Sequence, residues 1–142
     1  MIKKIVCATD GSHSAEKAVI FAANLAQQCA SHVAFLVVNT ITIEKLKTTA
    51  GWTSEQLSIA QAQTKAELDY ARQAAENTQI SFSLHEAEGR DIAKTIVNFA
   101  KTNDCDHIIV GSAGRKGLAG VLLGSVAKDV VTYAHCPVTV VR

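Results

Sequence analysis

A chain of 142 residues has room for one ordinary domain, and folding at that size buries roughly two thirds of the surface an unfolded chain exposes, so no disulfide or metal staple is needed. Fourteen Lys and Arg against thirteen Asp and Glu leave a net charge of +1 with no basic stripe, which argues against nucleic acid as a partner. A composition that is 48% hydrophobic but only 5% aromatic asks for an aliphatic core, which suits helices packed on a sheet.

Ile2 to Ala8 is a short apolar run rich in β-branched residues, followed by the turn and cap chemistry of Thr9-Asp10-Gly11-Ser12, and it predicts a buried first strand. The lysines Lys3 and Lys4 precede no signal-peptide core or small-residue cleavage pattern, so a cytoplasmic location is expected. Ala15, Ala18, Val19, Ala22, Leu25, Ala26 and Cys29 recur at helical steps and predict a first helix over Ser14 to Ala30. Val33 to Asn39 predicts a strand covered on both faces, as a parallel sheet requires. Its apolar stretch is about six residues, far short of the roughly 20 that cross a bilayer, so no membrane partner is expected.

The pattern lapses from Thr40 to Thr53, a loop that contains Trp52 and is long enough for a lid, a partner surface or simple solvated packing. Thr53-Ser-Glu-Gln56 then offers a capping box for a helix running to about Asn77. Ile80 to Glu86 alternates apolar and polar residues, as a half-exposed edge strand does. Gly89-Arg90-Asp91 opens a helix that carries Ile92, Thr95, Ile96, Phe99 and Ala100 on one face and ends near Asn103. His107 to Val110 is a short apolar strand, Ala127, Val130, Val131 and Ala134 mark a last helix, and Pro137 to Val141 a last strand. Strand and helix alternate throughout one domain, 1–142, so the fold class is α/β with a mostly parallel sheet and right-handed crossovers. The four cysteines, Cys7, Cys29, Cys105 and Cys136, are far apart and read as buried, reduced thiols; with the five scattered histidines they support no metal centre.

In such sheets ligands sit beyond the carboxyl ends of the strands, where the strand order reverses. Two loops suit that place. Gly111-Ser-Ala-Gly114, nine further residues and Gly124-Ser125 lie between a buried strand and a helix. Glycines there admit a ligand close to the backbone, and their amides can form an anion nest. A helix opening at Ser125 adds free N–H groups, the positive dipole end and a hydroxyl. The plainer reading of the same glycines is a pair of turns and a tight helix start. The second loop is Ala8-Thr9-Asp10-Gly11, whose carboxylate could accept from ribose hydroxyls, support a cation beside phosphates, or only cap the following helix.

The spacing Gly111-x2-Gly114-x9-Gly124-Ser125, the opening Ile5-Val-Cys-Ala-Thr-Asp-Gly-Ser12, the Leu122-Leu-Gly-Ser-Val-Ala127 run and the closing Cys136-Pro-Val-Thr-Val-Val-Arg142 resemble the ATP-binding universal stress proteins from end to end. The resemblance implies a three-layer α/β/α fold with five parallel strands in the order 3-2-1-4-5. It also implies an ATP (or ADP or AMP) site, with adenine between Ala8, Thr9 and Val38, Asp10 toward ribose or a Mg2+ ion, and Val110, Gly111, Gly114, Gly124, Ser125 and Val126 along the ribose and phosphates. Arg115, with Lys116, is a secondary candidate for the triphosphate. Ala8 and Ala113 depart from the proline and histidine frequent in the family, and neither change removes a backbone donor. The family further implies a homodimer through the last strand, Pro137 to Val141, whose apolar edge a monomer would otherwise have to cover.

No P-loop lysine and no nucleophile elbow is present, so no catalytic residue is assigned. Three functions remain open at this level: a nucleotide-dependent regulatory module of the stress response, a slow Mg-dependent ATPase, and a nucleotide-independent interaction domain.

Overall fold

The computed structural model describes residues 1–40, 53–113 and 123–142. Among them five strands alternate with four helices: β1 (Lys4–Ala8), α1 (His13–Cys29), β2 (His32–Asn39), α2 (Ser54–Thr78), β3 (Ser81–Glu88), α3 (Ile92–Thr102), β4 (His107–Gly111), α4 (Ser125–Tyr133) and β5 (Val138–Val141). Each expected element is present, displaced by one or two residues at its ends. The strands form one parallel sheet in the order β3-β2-β1-β4-β5, as the resemblance implies.

Alternation along the strands divides the core in two. Ile5, Cys7, Val33, Phe35 and Ile109 face α1 and the C-terminal half of α2, which meet them with Ala18, Val19, Ala22, Ala71 and Ala75. Val6, Leu36, Ile108 and Val110 face the other way, onto Ile96, Val97 and Ala100 of α3 and Ala127 and Val130 of α4. The many alanines let helices lie close to the sheet, so the bulk comes from the strands. β3 is an edge strand with a half-exposed surface, as its period-two pattern predicts.

Three of the four described helices begin on a side-chain cap. Ser12 accepts from the Ala15 N–H at the start of α1, and Asp91 from the Lys94 N–H at the start of α3. At α2 the predicted capping box is complete: the Thr53 hydroxyl accepts from the Gln56 N–H (3.1 Å) while the Gln56 side chain accepts from the Thr53 N–H (2.9 Å). α4 begins at Gly124 and has no side-chain cap.

The cysteines divide. Cys7 and Cys105 are buried and Cys136 half-buried, but Cys29 is exposed, contrary to expectation. It is the last residue of α1, where the chain leaves the core through a left-handed cap at Ala30. Desolvation pushes the Cys7 thiol up to about 12 and Cys105 to about 11, so both are protonated, unreactive core residues. No described helix is long and apolar enough to cross a membrane.

Candidate functional site

β1 sends its connection to β2 on one side, and β4 lies on its other side, so the strand order reverses between β1 and β4. A cavity of about 410 Å³ opens at their carboxyl ends. That is within the usual range for small-molecule sites. It is reached by residues from every expected direction: Ala8, Thr9 and Asp10 from the end of β1, Val38 from β2, Val110 and Gly111 from β4, and Gly124, Ser125 and Val126 from the start of α4. Gly114 and Arg115, with Lys116, lie outside the described residues, as does most of the Thr40 to Thr53 loop with Trp52.

The walls differ in character. Ala8, Leu36, Val38, Ile92 and Ile96 make one side apolar. Leu36, Ile92 and Ile96 read in the sequence only as core positions, and the structure adds them, with the first turns of α3, to the cavity lining. The other side is the start of α4. Among the described residues no carbonyl bonds its first-turn amides, at Ser125, Val126 and Ala127, and Gly124 supplies no side chain to replace one. All three residues line the cavity, with the Ser125 hydroxyl beside them. An anion placed there meets N–H donors and the positive end of the helix dipole.

Hydrogen bonds hold the loops around the cavity. The Thr9 N–H donates to the Leu36 carbonyl (2.9 Å), fixing the exit of β1 against β2. Asp10 accepts from the Ser12 N–H at 2.9 Å, which folds the chain into the start of α1. Gly11 has φ +77°, a left-handed conformation that favours glycine, and a Cβ there would stand 3.0 Å from Cγ of the buried Glu67 on α2, a contact to which that side chain would have to yield. The Ser112 N–H donates to the Val141 carbonyl (2.7 Å) and its carbonyl accepts from the Gly124 N–H (2.6 Å), closing the two ends of the glycine segment on each other.

Two details revise the expected nest. The amides of Ser112, Ala113 and Gly124 are bonded within the protein, to Val141, Ser14 and Ser112, so among the described residues of this segment the donors left for an anion are those of α4. Gly111 lines the cavity, yet its missing side chain is required elsewhere: a Cβ would lie 2.7 Å from the Ser14 carbonyl carbon and hydroxyl. A second cavity, of about 740 Å³, shares Thr9, Asp10 and Ala113 and continues between α1 and α2 past His13, Gln63 and Glu67. Among the described residues no three His, Cys, Asp or Glu groups come together as metal ligands. A Mg2+ ion at Asp10 would therefore take most of its oxygens from the phosphates of a nucleotide and from water, which is the usual habit of that ion.

Comparison with known proteins gives a consistent result. The universal stress protein family matches residues 1–142. A universal stress protein of Methanocaldococcus jannaschii is 35% identical over 100% of this chain and 83% of its own length. The solved structure of hypothetical protein MJ0577 superposes with a TM-score of 0.81 at 28% identity, covering 99% of this chain and 96% of the other. The universal stress protein from Archaeoglobus fulgidus solved in complex with dAMP superposes with a TM-score of 0.71 at 24% identity, over 100% and 98% of the two chains. With the match running from the first residue to the last and the strand order in agreement, the chain belongs to the universal stress protein family.

Proposed function

We propose that the chain is an adenine-nucleotide-binding regulatory module of the stress response, acting in the cytoplasm as a homodimer, and that it works by holding ATP, ADP or AMP rather than by consuming it. One observation carries this reading: α4 alone among the four described helices has no side-chain cap, and its open first turn faces the cavity at the switch point of the sheet. The apolar wall of Ala8, Val38, Ile92 and Ile96 suits an adenine ring, and the Ser125 to Ala127 amides suit the phosphate that follows the ribose. Asp10 stands on the cavity wall where a ribose hydroxyl or a phosphate-bound Mg2+ would pass. The dAMP held by the Archaeoglobus relative supports the ligand class.

Asp10 also favours a second reading, a slow Mg-dependent ATPase, because a carboxylate beside phosphates can help to hold the ion and orient water. The experiment separates these and the nucleotide-independent reading together. A fluorescent ATP analogue is titrated into the pure protein and displaced with ATP, ADP or AMP, and phosphate release is followed in Mg-ATP. Saturable binding with no release above the buffer blank is expected. Multiple turnovers would favour the ATPase, and failure of all three nucleotides to displace the analogue would leave only an interaction domain.

A further inference from the structure

Ser14 lies in the first turn of α1 and does not line the nucleotide cavity, yet it makes the most complete contact with the described part of the glycine segment. Its hydroxyl donates to the Ala113 carbonyl and accepts from the Ala113 N–H (3.2 Å). One oxygen thus satisfies both backbone groups of a single residue, which among uncharged side chains of this size only a hydroxyl can do. The Ser12 hydroxyl, already capping α1, lies 3.4 Å from the same carbonyl. Gly111 makes the arrangement possible, since a side chain there would meet Ser14 at 2.7 Å.

Next to this contact, Ser112 is bonded to Val141 on one side and Gly124 on the other. Residues 112 and 113 are therefore tied to the end of β5, the start of α4 and the start of α1, and both line the cavity. The ties to β5 and α4 are backbone bonds that any sequence could make. The tie to α1 is made by side chains, with Ser14 holding both backbone groups of Ala113 and the Ser12 hydroxyl reaching only its carbonyl. We propose that Ser14 is a positioning residue of the nucleotide site, fixing the Ala113 peptide so that the α4 end of the cavity keeps the shape that receives phosphate. This rests on the nucleotide-binding reading above. Because Ser14 acts through Ala113 beside the start of α4, and the apolar wall is built from β1, β2 and α3, its effect falls on the phosphates and not on the adenine.

The test compares ATP with adenosine, by calorimetric titration of wild type, Ser14→Ala and Ser14→Thr. Ser14→Ala is expected to weaken ATP at least tenfold while changing adenosine less than twofold, and Ser14→Thr, which keeps the hydroxyl, to recover most of the ATP affinity. An ATP affinity within twofold of wild type for Ser14→Ala overturns the proposal, and so does an equal loss for ATP and adenosine, which is what general loosening would produce. Should the alanine variant not fold, Ser14→Cys keeps the volume with only weak hydrogen bonding and carries the same comparison. If wild type itself binds no adenine nucleotide, the underlying reading has failed, and that is seen before any variant is made.

Discussion

Gly111 shows how a glycine in a binding motif can serve the scaffold. Its position between β4 and the cavity suggests that it makes room for ligand, but the space it leaves is filled by Ser14 and Ala15 of α1. Gly111→Ala should therefore destabilise the fold even without nucleotide, by about 1–3 kcal/mol as overpacking usually does. Urea unfolding of the ligand-free protein measures this, and an unchanged midpoint would show that α1 can yield. A second set of residues concerns pH. The Ser83 hydroxyl lies between His32 Nε2 (2.9 Å) and His85 Nε2 (2.7 Å), while His32 Nδ1 bonds Ser81 at 2.7 Å. Partial burial lowers both imidazoles below their ordinary value of 6.5, helped by Lys4 and, for His32, by His85. With folded values below the unfolded one, the unfolded chain takes up protons first as pH falls, so stability should be level above about 6.5 and decline below it. Thermal melts from pH 7.5 to 5.5 should show this slope, to which the buried His107 contributes with the same sign, and His85→Gln should make it shallower; a slope the variant leaves untouched would place its origin elsewhere.

At the scale of elements, the start of α4 carries the functional argument. A glycine N-cap gives up only a few tenths of a kcal/mol relative to Asp or Ser, so leaving that turn open costs the fold little. Gly124→Asp should consequently melt no lower than wild type while losing ATP affinity by tenfold or more, because the new carboxylate both occupies the first-turn amides and repels phosphate. Unchanged affinity in the folded variant would move the phosphates away from α4. The helix starts were legible because caps are local chemistry: Thr53 with Gln56, Ser12 and Asp91 each act within one turn of chain. The part of the wall made by Ile92 and Ile96 was not, since their spacing marks an apolar face without saying that part of it lines a cavity. Ser14 was hidden for a similar reason. Its partner is 99 residues away, and a serine in a first helical turn looks like ordinary cap chemistry.

At the scale of the molecule, alternation of strand and helix was enough to place the sheet in the parallel class, but the order 3-2-1-4-5 came from family resemblance, because many strand orders satisfy the same pattern. That order leaves β5 at one edge. The Pro137 and Val141 carbonyls accept from Ile108 and Ser112 on the β4 side, so Val138 and Val140 turn their backbone groups to the open edge. If a second copy pairs there, Val140→Pro removes an outward N–H without touching the β4 ladder and should convert a dimer to a monomer with its circular dichroism unchanged. Light scattering reads the mass, and a wild-type monomer would contradict the assembly.

If a nucleotide phosphate rests on the first turn of α4, amide shifts read this residue by residue. On titrating ATP into the 15N-labelled protein, the largest changes are expected at Ser125, Val126 and Ala127, with smaller ones at Thr9 and Val38. Shifts centred elsewhere, or none with ATP, ADP or AMP, would contradict it.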